Sequence, residues 1–317
     1  RIDYEKCVDC GNCMNSCPFG AISDRSQLIE VITWLKSDEE VIAILAPSII
    51  GQMGQKEDLG PIIEGLKKLG FSQVREVAFG ADMAALAESR EFAEKVPVEY
   101  PYLLSSCCPA FVQMVKNFAP QQAKYISSAV SPMVALALAI KQEKPQSRVV
   151  FIGPCIAKKR EAMESGAVDA VLTFEELAAL FVAADVNLAA IEAEEDSAVP
   201  GSGDGQGFAA AGGVKNAIAK GVAQINDIYF EGKNAQGLKE CMEDLTLLSQ
   251  GKAEYNFLEG MACLGGCLGG PGALVDYRKT KRFLEIRGKN LQQDFKENSK
   301  AGEALDILGD KIHCRRR

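Results

Sequence analysis

Eleven cysteines and one histidine stand among 317 residues, and the spacing of the cysteines decides which chemistry is open to the chain. Cys7, Cys10, Cys13 and Cys17 are separated by two, two and three residues, and Pro18 follows the last of them. This spacing wraps a short backbone around a 4Fe–4S cube, so that amide N–H groups can turn towards the sulfides. Zinc sites usually pair two cysteines at each end of a longer loop, which makes iron the better match. In two-cluster versions of such a run the fourth cysteine serves the other cluster. Cys17 therefore either completes this cluster or belonged with one lying upstream. The chain opens on Arg1 with no initiator Met, so we expect a fragment, a trimmed chain or a processed form.

Five further cysteines fall in three places. Cys107 and Cys108 precede Pro109; Cys155 follows Pro154; Cys263 and Cys267 sit in a glycine-rich run with Gly265, Gly266, Gly269 and Gly270. Each place reads as a loop at a strand end, where α/β folds build their sites. Glycines beside the last pair let the backbone approach a bulky inorganic ligand without a Cβ clash. Four thiolates from three loops would hold a second cluster and leave one thiol over, and a thiol can carry a proton. Buried structural cysteines are common. That explanation suits any one of the five and fits all five together badly.

His313 is the only histidine, which argues against His-based zinc sites and Ser-His or Cys-His catalysis. An odd number of cysteines in a chain this long, with no apolar signal-peptide core at its start, argues against disulfide staples. Asp and Glu number 43 against 35 Lys and Arg, a net charge of −8, which argues against a nucleic-acid partner. No apolar run reaches the length a membrane span needs. We expect a cytoplasmic protein.

The elements that must position these cysteines alternate. Residues 1–37 are short, cysteine-rich and turn-rich, and form one segment; residues 38–317 form the other domain. Within it, 41–46, 71–79, 149–153 and 228–230 read as strands, and 97–104 as extended. Helical patterns cover 59–70, 81–95, 109–118 and 132–141, and another begins at 238. Thr173 and Glu176 open a further helix over 173–184 with a capping box. An acidic stretch follows at 192–196. The glycine-rich segment 201–213 lacks the third glycine of a dinucleotide-binding loop and reads as a flexible loop or a close-packed turn. Alternation of this kind predicts an α/β core.

Three stretches now carry a resemblance: Ser105-Ser106-Cys107-Cys108-Pro109-Ala110-Phe111, Gly153-Pro154-Cys155-Ile156-Ala157-Lys158-Lys159-Arg160-Glu161, and Glu259-Gly260-Met261-Ala262-Cys263-Leu264-Gly265-Gly266-Cys267. They resemble, in order, the signatures of the iron-only (FeFe) hydrogenases. Ala46-Pro47-Ser48, Gly80-Ala81-Asp82, Ser131-Pro132, Leu172-Thr173 and Gly212-Gly213-Val214 extend the likeness over nearly the whole chain. The resemblance implies an α/β, two-lobed catalytic domain with twisted sheets flanked by helices, preceded by a small ferredoxin-like segment.

It also implies roles. Cys108, Cys155, Cys263 and Cys267 would hold a 4Fe–4S cluster. Cys267 would bridge it to a two-iron unit with CO, cyanide and an azadithiolate, the whole being the H-cluster. Cys107 would pass protons to the bridgehead amine, backed by Glu88, Ser127 and Glu91. Glu88 and Glu91 share a helix face by spacing, which by itself also fits a solvated surface. Lys158 would bond one cyanide, Ser48 and the backbone near Pro47 the other, and Met261 would pack against the two-iron unit. The implied activity is reversible hydrogen oxidation and proton reduction, typical of anaerobic metabolism, with electrons reaching a ferredoxin-like carrier through the N-terminal cluster. Dedicated hydrogenase maturation proteins would install the two-iron unit. Two other readings share the resemblance: a hydrogen sensor with slow turnover, and a hydrogenase-derived iron–sulfur scaffold without hydrogen chemistry. Phe111 stands where the family usually has Trp, Gly153 where it has Met, and Met133 where Gln is common, which points to a less-studied branch. Cys241 reads as an ordinary helix thiol, and His313 and Cys314 as part of a solvated, mobile basic tail over 311–317.

Overall fold

A computed structural model of the chain describes residues 2–54, 56–192, 201–225, 228–291 and 299–313. Of the acidic stretch, only Glu192 lies among the described residues, and Cys314 lies outside them. Two parallel sheets organise the larger part. The first contains β1 (Val41–Leu45), β2 (Gln73–Glu76), β4 (Arg148–Ile152) and β5 (Ala170–Leu172), in the order β2-β1-β4-β5. The second contains β3 (Leu103–Leu104), β6 (Gly232–Gln236) and β7 (Phe257–Met261), in the order β3-β7-β6. Helices flank both.

Register fixes where chemistry can sit. Leu45 pairs with Glu76 and with Ile152, and Ile152 pairs with Leu172, so all four strands of the first sheet end level. In the second, Met261 pairs with Gln236. Pro47, Ser48 and Cys155 leave the C-terminal edge of the first sheet; Cys107, Cys108 and Cys263 leave that of the second. Parallel strands buried on both faces need near-continuous apolar sequence, which Val-Ile-Ala-Ile-Leu in β1 supplies; all five residues are buried. The helix Pro109–Phe118 opens with Cys108 as an extended N-cap and Pro109 in its first turn, where a missing N–H is harmless. The expected capping box is formed: Thr173 Oγ1 accepts from Glu176 N–H at 3.1 Å, and Glu176 Oε2 from Thr173 N–H at 2.7 Å. Such a cap contributes about 1 kcal/mol.

Several expected boundaries move. The strand expected over 71–79 stops at Glu76, because Val77 already starts the helix Val77–Lys95. This helix is buried nearly all round, between the helices Pro132–Glu143 and Gly213–Ile225. It has no polar face, so its first turn carries no helical period. Pro97 and Pro101 remove ladder donors from the segment expected to be extended, and only Leu103–Leu104 pairs. The strand expected at 228–230 lies further along, at Gly232–Gln236. Residues 201–213 are not a flexible loop. Gly203–Gly207 is a helical turn pressed on the Val77–Lys95 helix, and a Cβ on Gly205 would stand 2.3 Å from the Ala78 carbonyl oxygen. At the other end, His313 closes a 3-10 turn, Gly309–His313, whose Ile312 is buried and whose Ile312 carbonyl accepts from Val130 N–H at 2.9 Å. The mobile tail expected from residue 311 is therefore docked at least as far as His313.

Candidate metal centre

Four thiols converge from the facing strand ends. Cys108 and Cys155 pack against one region with Ala157 and Ala262, the partly buried Cys263 feels the charges of Cys155, Cys108 and Cys267, and Cys267 begins the turn Cys267–Gly269. Burial pushes the Cys155 thiol up to about 11 and Cys267 up to about 12, and Cys263 well above its ordinary value; neighbouring thiols push the same way. Such a group of thiols stays protonated unless a bound cation supplies the compensating charge. Among the described residues, no three His, Cys, Asp or Glu side chains are placed to share one metal ion. A cube of four irons takes one thiolate at each iron corner and spreads its ligands further apart than a single ion does. The donor set thus fits an iron–sulfur cluster better than zinc.

Beside these thiols lies a cavity of about 60 Å³. Its lining includes Ala46, Pro47, Cys107, Met133 and Met261, with Cys155 and Cys267 at one side. Two polar groups face it. Ser48 Oγ is fully buried with no hydrogen-bond partner among the described residues. Leaving a hydroxyl so costs about 1–3 kcal/mol, which points to an acceptor that occupies the cavity. Lys158, 7 % exposed, donates from Nζ to Glu161 Oε2 at 2.6 Å and to the Cys107 carbonyl at 3.3 Å. Ser131 Oγ donates to the same Glu161 oxygen at 3.0 Å. An ammonium has three donors, so one remains for the cavity. An apolar chamber with an orphaned hydroxyl, a spare ammonium donor and thiols at one wall fits a compact inorganic group with acceptors on its periphery.

Of the three departures from the family pattern, Met133 lines this chamber, and Gly153 and Phe111 lie outside its lining. A Cβ on Gly153 would stand 2.5 Å from the Phe151 ring, so Phe151 fills the room that a longer residue at 153 would need. A Cβ on Gly260 would stand 2.3 Å from the Phe111 ring, which is wholly buried behind the thiols.

Cys107 stands apart from the four. Burial, then the charge of Glu88, pushes its thiol well above the ordinary value, so it is a neutral S–H at neutral pH. Glu88 is 1 % exposed, and its Oε1 has no hydrogen-bond partner among the described residues. Burial and then the charge of Glu91 raise Glu88 to about 8, partly offset by the Ser106 backbone N–H and the Ser127 hydroxyl. Ser127 Oγ donates to Glu91 Oε2 at 2.7 Å; Ser128 N–H reaches the same oxygen at 2.8 Å, and Lys95 Nζ reaches Oε1 at 3.0 Å. Glu91, Ser127 and Ser128 then line a second, outer cleft of about 400 Å³. The two glutamates do not form a solvated helix face; they lie between the chamber and that cleft.

Sequence reasoning passed over two features here. Glu259 is fully buried inside β7, where its oxygens accept from Gly212 N–H at 2.8 Å and Lys215 N–H at 2.7 Å at the start of the helix Gly213–Ile225. Burial still raises it to about 7. Its place inside an apolar strand was the available signal. His313 lies 2.9 Å from Ser128 Oγ at the outer cleft; nothing in the local sequence announces that contact across 185 residues.

Cys7, Cys10 and Cys17 are partly buried and Cys13 is exposed. The Cys17 sulfur accepts from Ala21 N–H at 3.4 Å, and surrounding backbone N–H groups hold its thiol below the ordinary value. Val8 and Cys10 pack into the region that holds Cys108 and Cys155. Gly11, at φ 76°, touches the larger domain so closely that a Cβ would stand 2.5 Å from Pro271. The two sets of thiols are neighbours.

Fold and thiols together define an α/β iron–sulfur protein built from a ferredoxin-type segment and a two-sheet domain. The chain belongs to the iron-only hydrogenase family: residues 39–271 match the model described as iron only hydrogenase large subunit, C-terminal domain, and residues 1–23 match a 4Fe-4S binding domain. Iron hydrogenase 1 of Clostridium pasteurianum is 30% identical over 86% of this chain, which spans 64% of that protein. A cytosolic iron-sulfur assembly component 3 from Bos taurus is 22% identical over 92% of this chain and 74% of its own length. A solved structure of the [FeFe]-hydrogenase HydA1 from Chlamydomonas reinhardtii superposes with a TM-score of 0.78, covering 92% of this chain and 98% of that one, at 22% identity; this likeness concerns the fold. No helix among the described residues is long and apolar enough to cross a membrane.

Proposed function

We propose that the chain interconverts hydrogen with two protons and two electrons, at an H-cluster held by Cys108, Cys155, Cys263 and Cys267. The observation that carries this reading is the fifth thiol. Cys107 lines the chamber as a neutral S–H, and Glu88, Ser127 and Glu91 stand between it and the outer cleft. A relay needs groups that both donate and accept, each buried enough to exclude competing water. A thiol, a carboxyl near 8, a hydroxyl and a second carboxylate meet that need in sequence. When bound, the two-iron unit supplies an open iron site for hydrogen and a basic amine; the metal chemistry is the cofactor's own. The chain binds, orients and keeps dry. Lys158 and Ser48 hold the cyanides, Met261 and Pro47 shape the wall, and Cys107 moves the proton. Cys7, Cys10, Cys13 and Cys17 hold the N-terminal cluster, which exchanges electrons with a ferredoxin-like carrier. Maturation proteins install the two-iron unit.

The likeness to an iron–sulfur assembly component favours a second reading, in which the same thiols hold clusters without hydrogen chemistry. A scaffold has no use for an apolar chamber with a thiol and a buried carboxyl chain beside it. Infrared spectroscopy after maturation separates the two. CO and cyanide bands together with hydrogen turnover support the enzyme; two clusters with no such bands would leave the scaffold.

A further inference from the structure

Three basic residues follow Cys155 and Ala157 in a row, and each reaches a different target. Lys158 serves the chamber. Lys159 Nζ lies 2.5 Å from Asp24 Oδ2 and 3.1 Å from Glu176 Oε2, and donates to the Arg25 carbonyl at 2.9 Å. Arg160 turns to the cluster loop. Its Nη2 lies 2.6 Å from Asp9 Oδ2, and its Nη1 donates to the Cys7 carbonyl at 3.5 Å. Asp9 sits between Cys7 and Cys10 at φ 53°, a left-handed conformation that Asp tolerates better than most residues. The guanidinium thus grips the loop by a side chain and by a carbonyl, at its most constrained point.

We propose that Arg160 is a positioning residue for the N-terminal cluster: it fixes the Cys7–Cys10 loop against the larger domain, and its charge raises the reduction potential of the cluster that loop holds. The inference deepens the reading of residues 1–23 as a 4Fe–4S binding domain and does not depend on hydrogen turnover.

Reduction adds one electron to the cluster, with no bond or proton change in the chain, so the reduced form is the more negative one. Nearby charge is one of the levers that set such potentials. An arginine stays ionised at any working pH. The Arg160 and Asp9 side chains are 32% and 26% exposed, so water screens the pair only in part. Loss of Arg160 leaves the Asp9 charge uncompensated beside the cluster, which then becomes harder to reduce. Loss of the Asp9 charge leaves Arg160 uncompensated, and the cluster becomes easier to reduce. A purely mechanical clasp would be loosened by either change and would move the potential the same way in both.

The test is a redox titration followed by electron paramagnetic resonance. It uses the full chain with both iron–sulfur clusters reconstituted and the two-iron unit left out. Arg160→Gln should lower the midpoint of the N-terminal cluster and raise its oxidised-to-reduced ratio about tenfold at fixed potential, which is 59 mV for a one-electron couple. Asp9→Asn should shift it upwards, and Arg160→Lys should keep it near the parent value. Magnetic coupling between the two reduced clusters should weaken in Arg160→Gln. Equal midpoints in all variants, or shifts of the same sign for Arg160→Gln and Asp9→Asn, would overturn the proposal. If Arg160→Gln assembles no N-terminal cluster, the remaining pair decides: an upward shift in Asp9→Asn supports it, and a downward shift or none overturns it. Absent CO and cyanide bands after maturation would remove the hydrogen reading and leave these midpoints to stand on their own.

Discussion

The two sets of thiols sit side by side and are held in opposite ways. Cys108, Cys155, Cys263 and Cys267 come from loops at the strand ends of two parallel sheets and are partly buried, with burial the main influence on the thiols of Cys155, Cys263 and Cys267. Cys7, Cys10, Cys13 and Cys17 come from one short segment whose helical piece before Ser16, among the described residues, is the single turn Asn12–Asn15. Contacts that hold that segment include Arg160 with Asp9, Lys159 with Asp24, Gly11 against Pro271, and Val8 and Cys10 packed into the larger domain. The inner set is positioned by the ends of two sheets, and the outer by one short segment laid against the larger domain. An interior centre can be dry and can hold a neutral thiol and a neutral carboxyl; an outer one can exchange electrons with a partner. Changes to the inner set should therefore alter chemistry, and changes to the outer set should alter docking.

The largest effect tests the inner set. Cys107→Ala should leave both clusters in place and lower hydrogen turnover by about 10²–10⁴-fold, the usual weight of a positioned acid–base group. Iron content and the infrared spectrum should match the parent. Unchanged turnover would remove Cys107 from the relay.

Glu88 tests the same inner set through stability against pH. Its folded value is raised from the ordinary 4.5 to about 8. The folded state therefore holds a proton that the unfolded state releases. The stabilisation from that proton is fully present below the unfolded value and is lost as pH rises through about 8. Between about pH 6 and pH 8, the parent should lose about 2 kcal/mol from this group. Glu88→Gln should flatten that slope, as read by thermal unfolding of the cluster-loaded protein at several pH values. An identical slope in both proteins would mean that Glu88 is ionised throughout and could not donate.

Much of this comparison was legible in the sequence. The spacing of the first four cysteines, the loops that carry the other five, the helix at 109–118 and the Thr173–Glu176 cap depend on neighbours a few residues apart, and local physics decides them. What stayed hidden depends on distant partners. The start of the Val77–Lys95 helix is buried by segments more than fifty residues away, so its polar face never appears. Residues 158–160 are three adjacent positive charges in the sequence, yet their side chains part towards a chamber, towards Asp24 and Glu176, and towards a cluster loop. Residues at 9 and 160 announce no pairing to a reader of the chain. Gly153 looks like a loss until Phe151 is seen in the space it frees.

Gly11→Ala should act on the outer set alone. The new methyl meets Pro271 at 2.5 Å, and φ 76° disfavours any Cβ. Together these cost about 2–4 kcal/mol at the interface. Protease should cut residues 1–37 away faster, while the inner cluster keeps its iron and its spectrum. Loss of both clusters together would show that the two regions fold as one unit.

His313 gives the smallest effect, and the one that most sharpens the boundary between the two kinds of control. It is the chain's only histidine, it is exposed, and it lies 2.9 Å from Ser128 Oγ, while Ser128 N–H donates to Glu91. Its contact with Ser128 puts it beside the outer cleft that Glu91 lines, where it can take up a proton leaving the relay, and an imidazole is the side chain best suited to exchange protons near neutral pH. His313→Gln keeps a polar partner for Ser128 and should change stability by less than about 0.5 kcal/mol. In concentrated buffer, solvent carries the proton off and turnover should match the parent. In dilute buffer turnover should fall, and added imidazole should restore it. Equal rates in both buffers would place the end of the relay at Glu91 and Lys95, and would make His313 a tether for the last described turn.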